Sequence, residues 1–157
     1  MLTFLPSTIY IIMRDVLQRV QHGRVTVGGR TVAEIGPGLV ILLGIGPDDG
    51  DEQAQYLADK ITNLRIFEDQ RGKMNQSLLD VDGEVIVVSQ FTLYADTRKG
   101  RRPSFTDAAP AEIAHPLVER FIELLNSKGV ATQSGEFGAH MLVEITNDGP
   151  VTIWMER

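Results

Sequence analysis

The sequence predicts an α+β fold: a mostly antiparallel sheet, curled toward a barrel, with two main helices packed against it. Three observations lead there. Short runs rich in Val and Ile recur along the chain with Gly, Pro and Asp between them, the pattern of strands joined by tight turns. Only two stretches repeat apolar residues at helical spacing. The run 38–45 is apolar without a break, as a strand covered on both faces is, and 84–94 is a second rich strand.

The elements follow in order. The opening "MLTFLPSTIYII" is uncharged and broken by Pro6, and a second methionine, Met13, begins "MRDVLQRV". No basic segment precedes the apolar part and no A-x-A-like site follows it, so a signal peptide is disfavoured. Residues 1–12 read as an N-terminal extension or mis-set start, and 13–157 as the single folded domain. Residues 15–20 suit a strand. "RVTVGGRTVAEI" reads as a hairpin around Gly28–Gly29, flanked by Val25, Val27 and Val32. "GLVILLGI" (38–45) is a buried strand ended by "GPDDG".

Ala54, Leu57, Ala58, Ile61 and Leu64 then keep helical spacing, with Asp51 and Glu52 in the first turn, where the helix dipole favours acids. "EVIVVSQFTLY" (84–94) is a second rich strand, with Phe91 and Leu93 inward and Gln90 and Thr92 outward. A second helix occupies roughly 111–128 through Ile113, Leu117, Phe121 and Leu125. It stops at Gly129, with Pro116 in its first turn or at a kink. Strands at 131–134, 140–146 and 151–156 close the chain, and "NDGPVT" (147–152) reads as a turn between the last two. Edges this rich in Val and Ile need covering, which suggests a dimer.

Composition narrows the chemistry. With no cysteine, thiolate metal sites, disulfides and Cys nucleophiles are excluded. A formal charge of −6 argues against a general nucleic-acid coat, since phosphate affinity rests on clustered Lys and Arg. Arg98, Lys99, Arg101 and Arg102 nevertheless crowd one short stretch, either as a solvated loop or as a contact to a phosphate backbone. The glycines of "GPGLVILLGIGPDD" fail the dinucleotide pattern, because Asp49 occupies the third glycine position. His22, His115 and His140 fit no metal-ligand spacing. No G-x-S-x-G elbow exists. Ser89, His140 and Asp96 are a triad only on paper.

Two short segments remain. The end of the "SQFTL" strand (89–93) is ordinary core, or it exposes backbone N–H groups to a developing oxyanion. In "NDGPVT", Gly149 lets another molecule approach its backbone and Pro150 fixes its own φ. The pair is plain punctuation or a stiff wall of carbonyl groups.

Together, "SQFTL" and "NDGPVT" (N-x-G-P-V-T) resemble the paired signatures of the D-aminoacyl-tRNA deacylases. "QRV" at 18–20, "LRIFED" at 64–69, "GKMN" at 72–75 and "RPSF" at 102–105 extend the likeness from Met13 onward. The resemblance implies a cytoplasmic, homodimeric hydrolase, without cofactor or metal. It would cleave the ester between a D-amino acid, or mischarged glycine, and the 3′-terminal ribose of tRNA. It implies a cis Gly149–Pro150 bond reaching across the dimer, so that the active site lies at the subunit interface, facing Ser89, Gln90 and Phe91 of the partner subunit.

Such a filter would reject L-aminoacyl-tRNA at Cα, where the substrate's side chain does not matter, and glycine would pass it. Ser89, Gln90, Phe91 and Thr92 are then the catalytic candidates, with N–H groups around Gln90 and Phe91 forming the oxyanion hole. Thr92 and Thr152 carry hydroxyls, but no base is evident beside them. The tRNA's own 2′-hydroxyl is the expected assistant. Phe137, Met141 and Thr152 would contact substrate, with Phe137 either stacking on the terminal adenosine or filling core. Arg98, Lys99, Arg101 and Arg102 would hold the acceptor stem. The rival readings are a non-catalytic RNA-binding module and an esterase of small molecules.

Overall fold

A computed structural model describes residues 11–157, so the extension expected over 1–12 lies almost wholly outside the described residues. The elements are β1 (Arg14–Val27), β2 (Arg30–Ile35), β3 (Gly38–Gly44), α1 (Asp51–Asn63), β4 (Phe67–Glu68), β5 (Met74–Gln76), β6 (Glu84–Ser89), α2 (Ala111–Ser127), β7 (Thr132–Ser134) and β8 (Leu142–Glu156).

The strand expected at 15–20 and the first arm of the hairpin are one long strand, β1. One edge of β1 pairs with β3 through residues 14–20 and with β2 through residues 23–27. Its other edge pairs antiparallel with β8 along nearly its whole length. The hairpin turn falls at Gly28 and Gly29, both at positive φ, as a two-residue turn matched to strand twist requires.

The sheet runs β2-β1-β3-β6-β7, with β8 added on β1. The β3–β6 and β6–β7 pairs are parallel, so the curled sheet is mixed in detail. Its two ends meet through one side chain. The amide of Gln133 on β7 accepts from the Glu34 N–H at 2.9 Å and donates to the Glu34 carbonyl at 2.8 Å. A glutamine thereby stands in for a missing ladder rung and draws β2 toward β7.

Curling explains the unbroken apolar runs. On β3 and β6, Val40, Ile86 and Val88 face the inside of the curl with Val20, Val25 and Ile35. Their alternates Leu39, Ile41, Leu43, Val85 and Val87 face the helices. From α1 come Leu57 and Ile61, and from α2 Phe121 and Leu125, all fully buried. Each such side chain contributes about 1.5–3 kcal/mol by leaving water. No helix among the described residues is long and apolar enough to cross a membrane.

Three expectations need correction. The strand at 84–94 stops at Ser89, and residues Phe91–Tyr94 form a 3-10 turn. The cause lies in its neighbour: β3 ends at Gly44, and its last useful acceptor, the Leu43 carbonyl, takes the Gln90 N–H at 2.8 Å. Tyr94 then folds back over Gly44, its hydroxyl 2.6 Å from the Ile12 carbonyl and 3.0 Å from the Gly44 carbonyl, the two acceptors for its one proton. Phe91 therefore points outward, 55% exposed, rather than into the core.

The second correction concerns 147–152. It is no turn between strands but part of one continuous strand, β8. Gln18 pairs with Thr152 and Val20 with Asn147, so a single residue of β1, Arg19, stands opposite the segment 148–151, which bulges away from the sheet. The third is partial: of the two places expected for Pro116, the first turn or a kink, the first is excluded, since it lies inside α2 beyond the first turn. His115 and Pro116 are on its exposed side, where water can satisfy the carbonyl that proline leaves unpaired.

Candidate active site

The sharp end of β6 and the 3-10 turn build one wall of a cleft of about 220 Å3. Ile45, Ser89, Phe91, Ala114, Phe137 and Met141 line it. Phe137 comes from the connection 135–141 between β7 and β8, and Ala114 from α2. Four of the predicted site residues, Ser89, Phe91, Phe137 and Met141, are thus brought together. The side chains that line it are apolar apart from the serine's, and main-chain groups add polar surface between them, a mixture that suits a flat aromatic base and an ester.

Two of the predicted oxyanion donors are not equivalent. The Gln90 N–H is used by the Leu43 carbonyl, so it is not free to serve a substrate. The Phe91 N–H opens the 3-10 turn, where a helical turn leaves its first donors unpaired. Phe105 of "RPSF" meets the Phe91 ring edge-on, with centroids 5.1 Å apart, and fixes the wall. Thr92 accepts a hydrogen bond from the Gln90 side-chain amide, and no base contacts its hydroxyl among the described residues.

Gly149 and Pro150 lie outside this cleft, on the exposed bulge of β8. Their peptide bond is cis, and Gly149 has φ +125°, a region open to glycine and strained for other residues. Arg19 holds the bulge from below. It is only 4% exposed, and its Nε donates to the Asp148 carbonyl at 3.0 Å and Nη1 to the Ile66 carbonyl at 2.8 Å. Glu68 and the Asp148 carboxylate stand at 3.7 and 3.6 Å. The guanidinium fork locks two backbone segments with fixed geometry. A shallow hollow of about 290 Å3, lined by Arg19, Pro37, Phe67, Glu68 and Asp148, borders the bulge. Thr152, on β8, donates to the Gln18 side chain at 2.7 Å and does not line the cleft.

The basic stretch is a loop pinned by a backbone bridge between Asp96 and Ser104. Arg98 pairs with Asp96 at 2.8 Å and holds that carboxyl down at about 2. Lys99, Arg101 and Arg102 are exposed and make no ion pair among the described residues.

Sequence reasoning assigned no role to Arg19, Phe105 or His115. Arg19 carried a usable signal: it falls in phase with buried Leu17 on β1, where a charged side chain needs a reason. His115 and Phe105 had none.

A family model described as D-Tyr-tRNA(Tyr) deacylase matches residues 16–156. The chain belongs to this deacylase family. Similar proteins include the D-aminoacyl-tRNA deacylases of Carboxydothermus hydrogenoformans, 59% identical over 92% of this chain and 99% of that protein, and of Heliobacterium modesticaldum, 60% identical over 92% and 96%. Among solved structures, a c-Myc DNA unwinding element binding protein superposes with TM-score 0.86 at 42% identity, covering 92% of this chain and 98% of that one. A probable eukaryotic D-amino acid tRNA deacylase shares the fold, with TM-score 0.80 at 19% identity over 93% and 100%.

Proposed function

We propose that the protein hydrolyses the ester of D-aminoacyl-tRNA as a homodimer, with Gly149 and Pro150 of each subunit completing the cleft of the other. The observation that carries the reading is the separation of the two motifs within one chain. The cleft holds Ser89, Phe91 and Phe137, whereas the clamped Gly149–Pro150 bulge stands exposed on β8. That strand is an edge with Leu142 64% and Trp154 50% exposed, a surface that calls for a second copy.

The terminal adenosine stacks on Phe137 and places its aminoacyl ester beside Ser89. Water adds to the ester carbonyl, the Phe91 N–H supports the oxyanion, and the 2′-hydroxyl of the tRNA ribose carries the proton to the leaving 3′ oxygen. Free tRNA and the D-amino acid result. An L-side chain would meet the main chain at Gly149–Pro150. A D-side chain points away, and glycine has nothing to clash. The exposed cations of the 98–102 loop hold the acceptor stem by charge.

The deciding experiment incubates the protein with D- and L-tyrosyl-tRNA and follows release of tyrosine, alongside sedimentation to read its mass. Release of the D-form alone by a dimer is expected. Binding of tRNA without release would favour a non-catalytic RNA module. Equal hydrolysis of a minimal aminoacyl ester would favour a small-molecule esterase.

A further inference from the structure

Phe137 sits in a connection between strands, with glycine on either side at positions 135 and 138. Its immediate neighbours are Gly138, which has no side chain, and Glu136, whose carboxylate lies 3.7 Å from Arg30, so its support comes from across the fold, where one part of it packs against the main core. His115 of α2 supports one face of the ring: the two rings lie parallel within 6°, with centroids 4.5 Å apart. The histidine is oriented in turn by Glu119, one helical turn on, whose Oε1 is 3.1 Å from Nε2. Phe137 also lines both the main cleft and a smaller cavity of about 70 Å3 that His115, Glu119 and Ser134 share. Phe137 and Ser89 thus lie between the two, with the imidazole on the cavity side.

We infer that His115 is a positioning residue for nucleotide recognition: it backs the Phe137 ring so that the opposite face is presented, already oriented, to the terminal base of the substrate. This rests on the deacylase reading above. A half-buried ring on a strand connection would otherwise lose rotational freedom on binding, and a stack made in advance reduces that cost. The base then adds a third layer to an existing pair. His115 touches no reacting atom, so its loss acts on substrate affinity and leaves the bond-breaking step alone.

The test uses the whole protein with His115→Ala and His115→Phe. For D-tyrosyl-tRNA, His115→Ala raises KM about five- to tenfold with kcat within about twofold, and His115→Phe, which keeps a stacking face, returns KM to near the wild-type value. A fall in kcat with KM unchanged, or no recovery in His115→Phe, overturns the inference. A second measurement is independent of turnover. Adenosine 5′-monophosphate is titrated against protein labelled with 13C at the methionine methyls, reading Met141 in the cleft wall. Its affinity falls by a similar factor in His115→Ala and recovers in His115→Phe. Equal affinity in all three proteins, or no shift of Met141 in the wild type, overturns the inference. A wild type that binds the nucleotide but releases no D-tyrosine overturns the deacylase reading and leaves the buttress standing.

Discussion

Asp15 should make the folded protein less stable as pH rises toward neutrality. It occupies β1 opposite Leu43 of β3 and Met155 of β8. It is fully buried among the apolar side chains that face the helices, and neither carboxylate oxygen has a hydrogen-bond partner. Burial without compensation raises its pKa from 3.8 to about 7, because the ionised form has lost its water and gained nothing. Between these values the folded chain keeps a proton that the unfolded chain has released. Stability contributed by the neutral acid is thus whole below about pH 4 and declines through the window up to about pH 7. At ~1.36 kcal/mol per unit, a rise of about three units is worth about 4 kcal/mol.

The measurement is guanidinium unfolding of the wild type and Asp15→Ala at pH 4.5, 6, 7 and 8, at one fixed protein concentration because the stability of the proposed dimer would depend on it. Other titrating groups, including Asp49, raised by burial to about 6, are shared by both proteins and cancel in the difference. Relative to the wild type, Asp15→Ala should gain about 1.4 kcal/mol per pH unit across the window and level off above pH 7. The small cavity left by alanine shifts the whole curve but not its slope. Parallel curves would refute the reasoning and mean that the carboxylate reaches water.

Thr92→Ala should keep single-turnover release of D-tyrosine within about fivefold of wild type, since its hydroxyl bonds only the Gln90 amide and an unassisted hydroxyl is a poor nucleophile. Gly149→Ala places a methyl carbon 3.0 Å from the Val151 nitrogen and 3.2 Å from Arg19 Nη2, at φ +125°. The main chain must move, and the ratio of D- to L-tyrosyl-tRNA hydrolysis should fall by ~10-fold or more with the circular dichroism unchanged. Arg19→Lys cannot reach both the Asp148 and Ile66 carbonyls; a loss of about 1–3 kcal/mol in thermal unfolding is expected, with weakened D-over-L preference. Reversing charge at Lys99, Arg101 and Arg102 together should weaken tRNA binding and flatten its salt dependence while leaving that preference intact. A filter-binding titration at several salt concentrations reads this.

Much of the fold was legible because its signals are local. The Gly28–Gly29 hairpin, the two helices and the doubly covered β3 all declare themselves through spacing within a few residues. What escaped was set by neighbours distant in sequence. "VVSQFTLY" has the composition of one strand, yet it breaks after Ser89 because its partner ends at Gly44 and Tyr94 is drawn over that glycine. "NDGP" has the composition of a turn, yet β1 pairs on both sides of it and converts it into a bulge. The cleft shows the same division. Ser89, Phe91 and Phe137 were named from the sequence, whereas the residues that hold the surrounding backbone and rings, Arg19, Phe105 and His115, depend on contacts across 47 positions or more in the case of Arg19 and between α2 and the β7–β8 connection in the case of His115.

On the proposed reading of Gly149 and Pro150 as a chirality filter, the clamp beneath them bears on selectivity. A filter acting at Cα must discriminate between enantiomers whose side chains differ only in direction, so a wall that yields by an ångström would admit both. Flexible side chains are poor material for it, and a free loop is worse. Here the protruding backbone is anchored at both ends by pairing with β1, at Val20–Asn147 and Gln18–Thr152, and gripped at Asp148, the residue before Gly149, by a buried guanidinium that also holds the Ile66 carbonyl. Placing an arginine in the core costs desolvation, and hydrogen bonds to two carbonyls with carboxylates nearby offset much of it. What is gained is stiffness at the two residues that present no side chain capable of discriminating. On this account Arg19 is more than a packing residue. Its conservative replacement should erode chirality before it erodes hydrolysis, and a lysine variant that loses both in proportion would mean that the clamp serves folding alone.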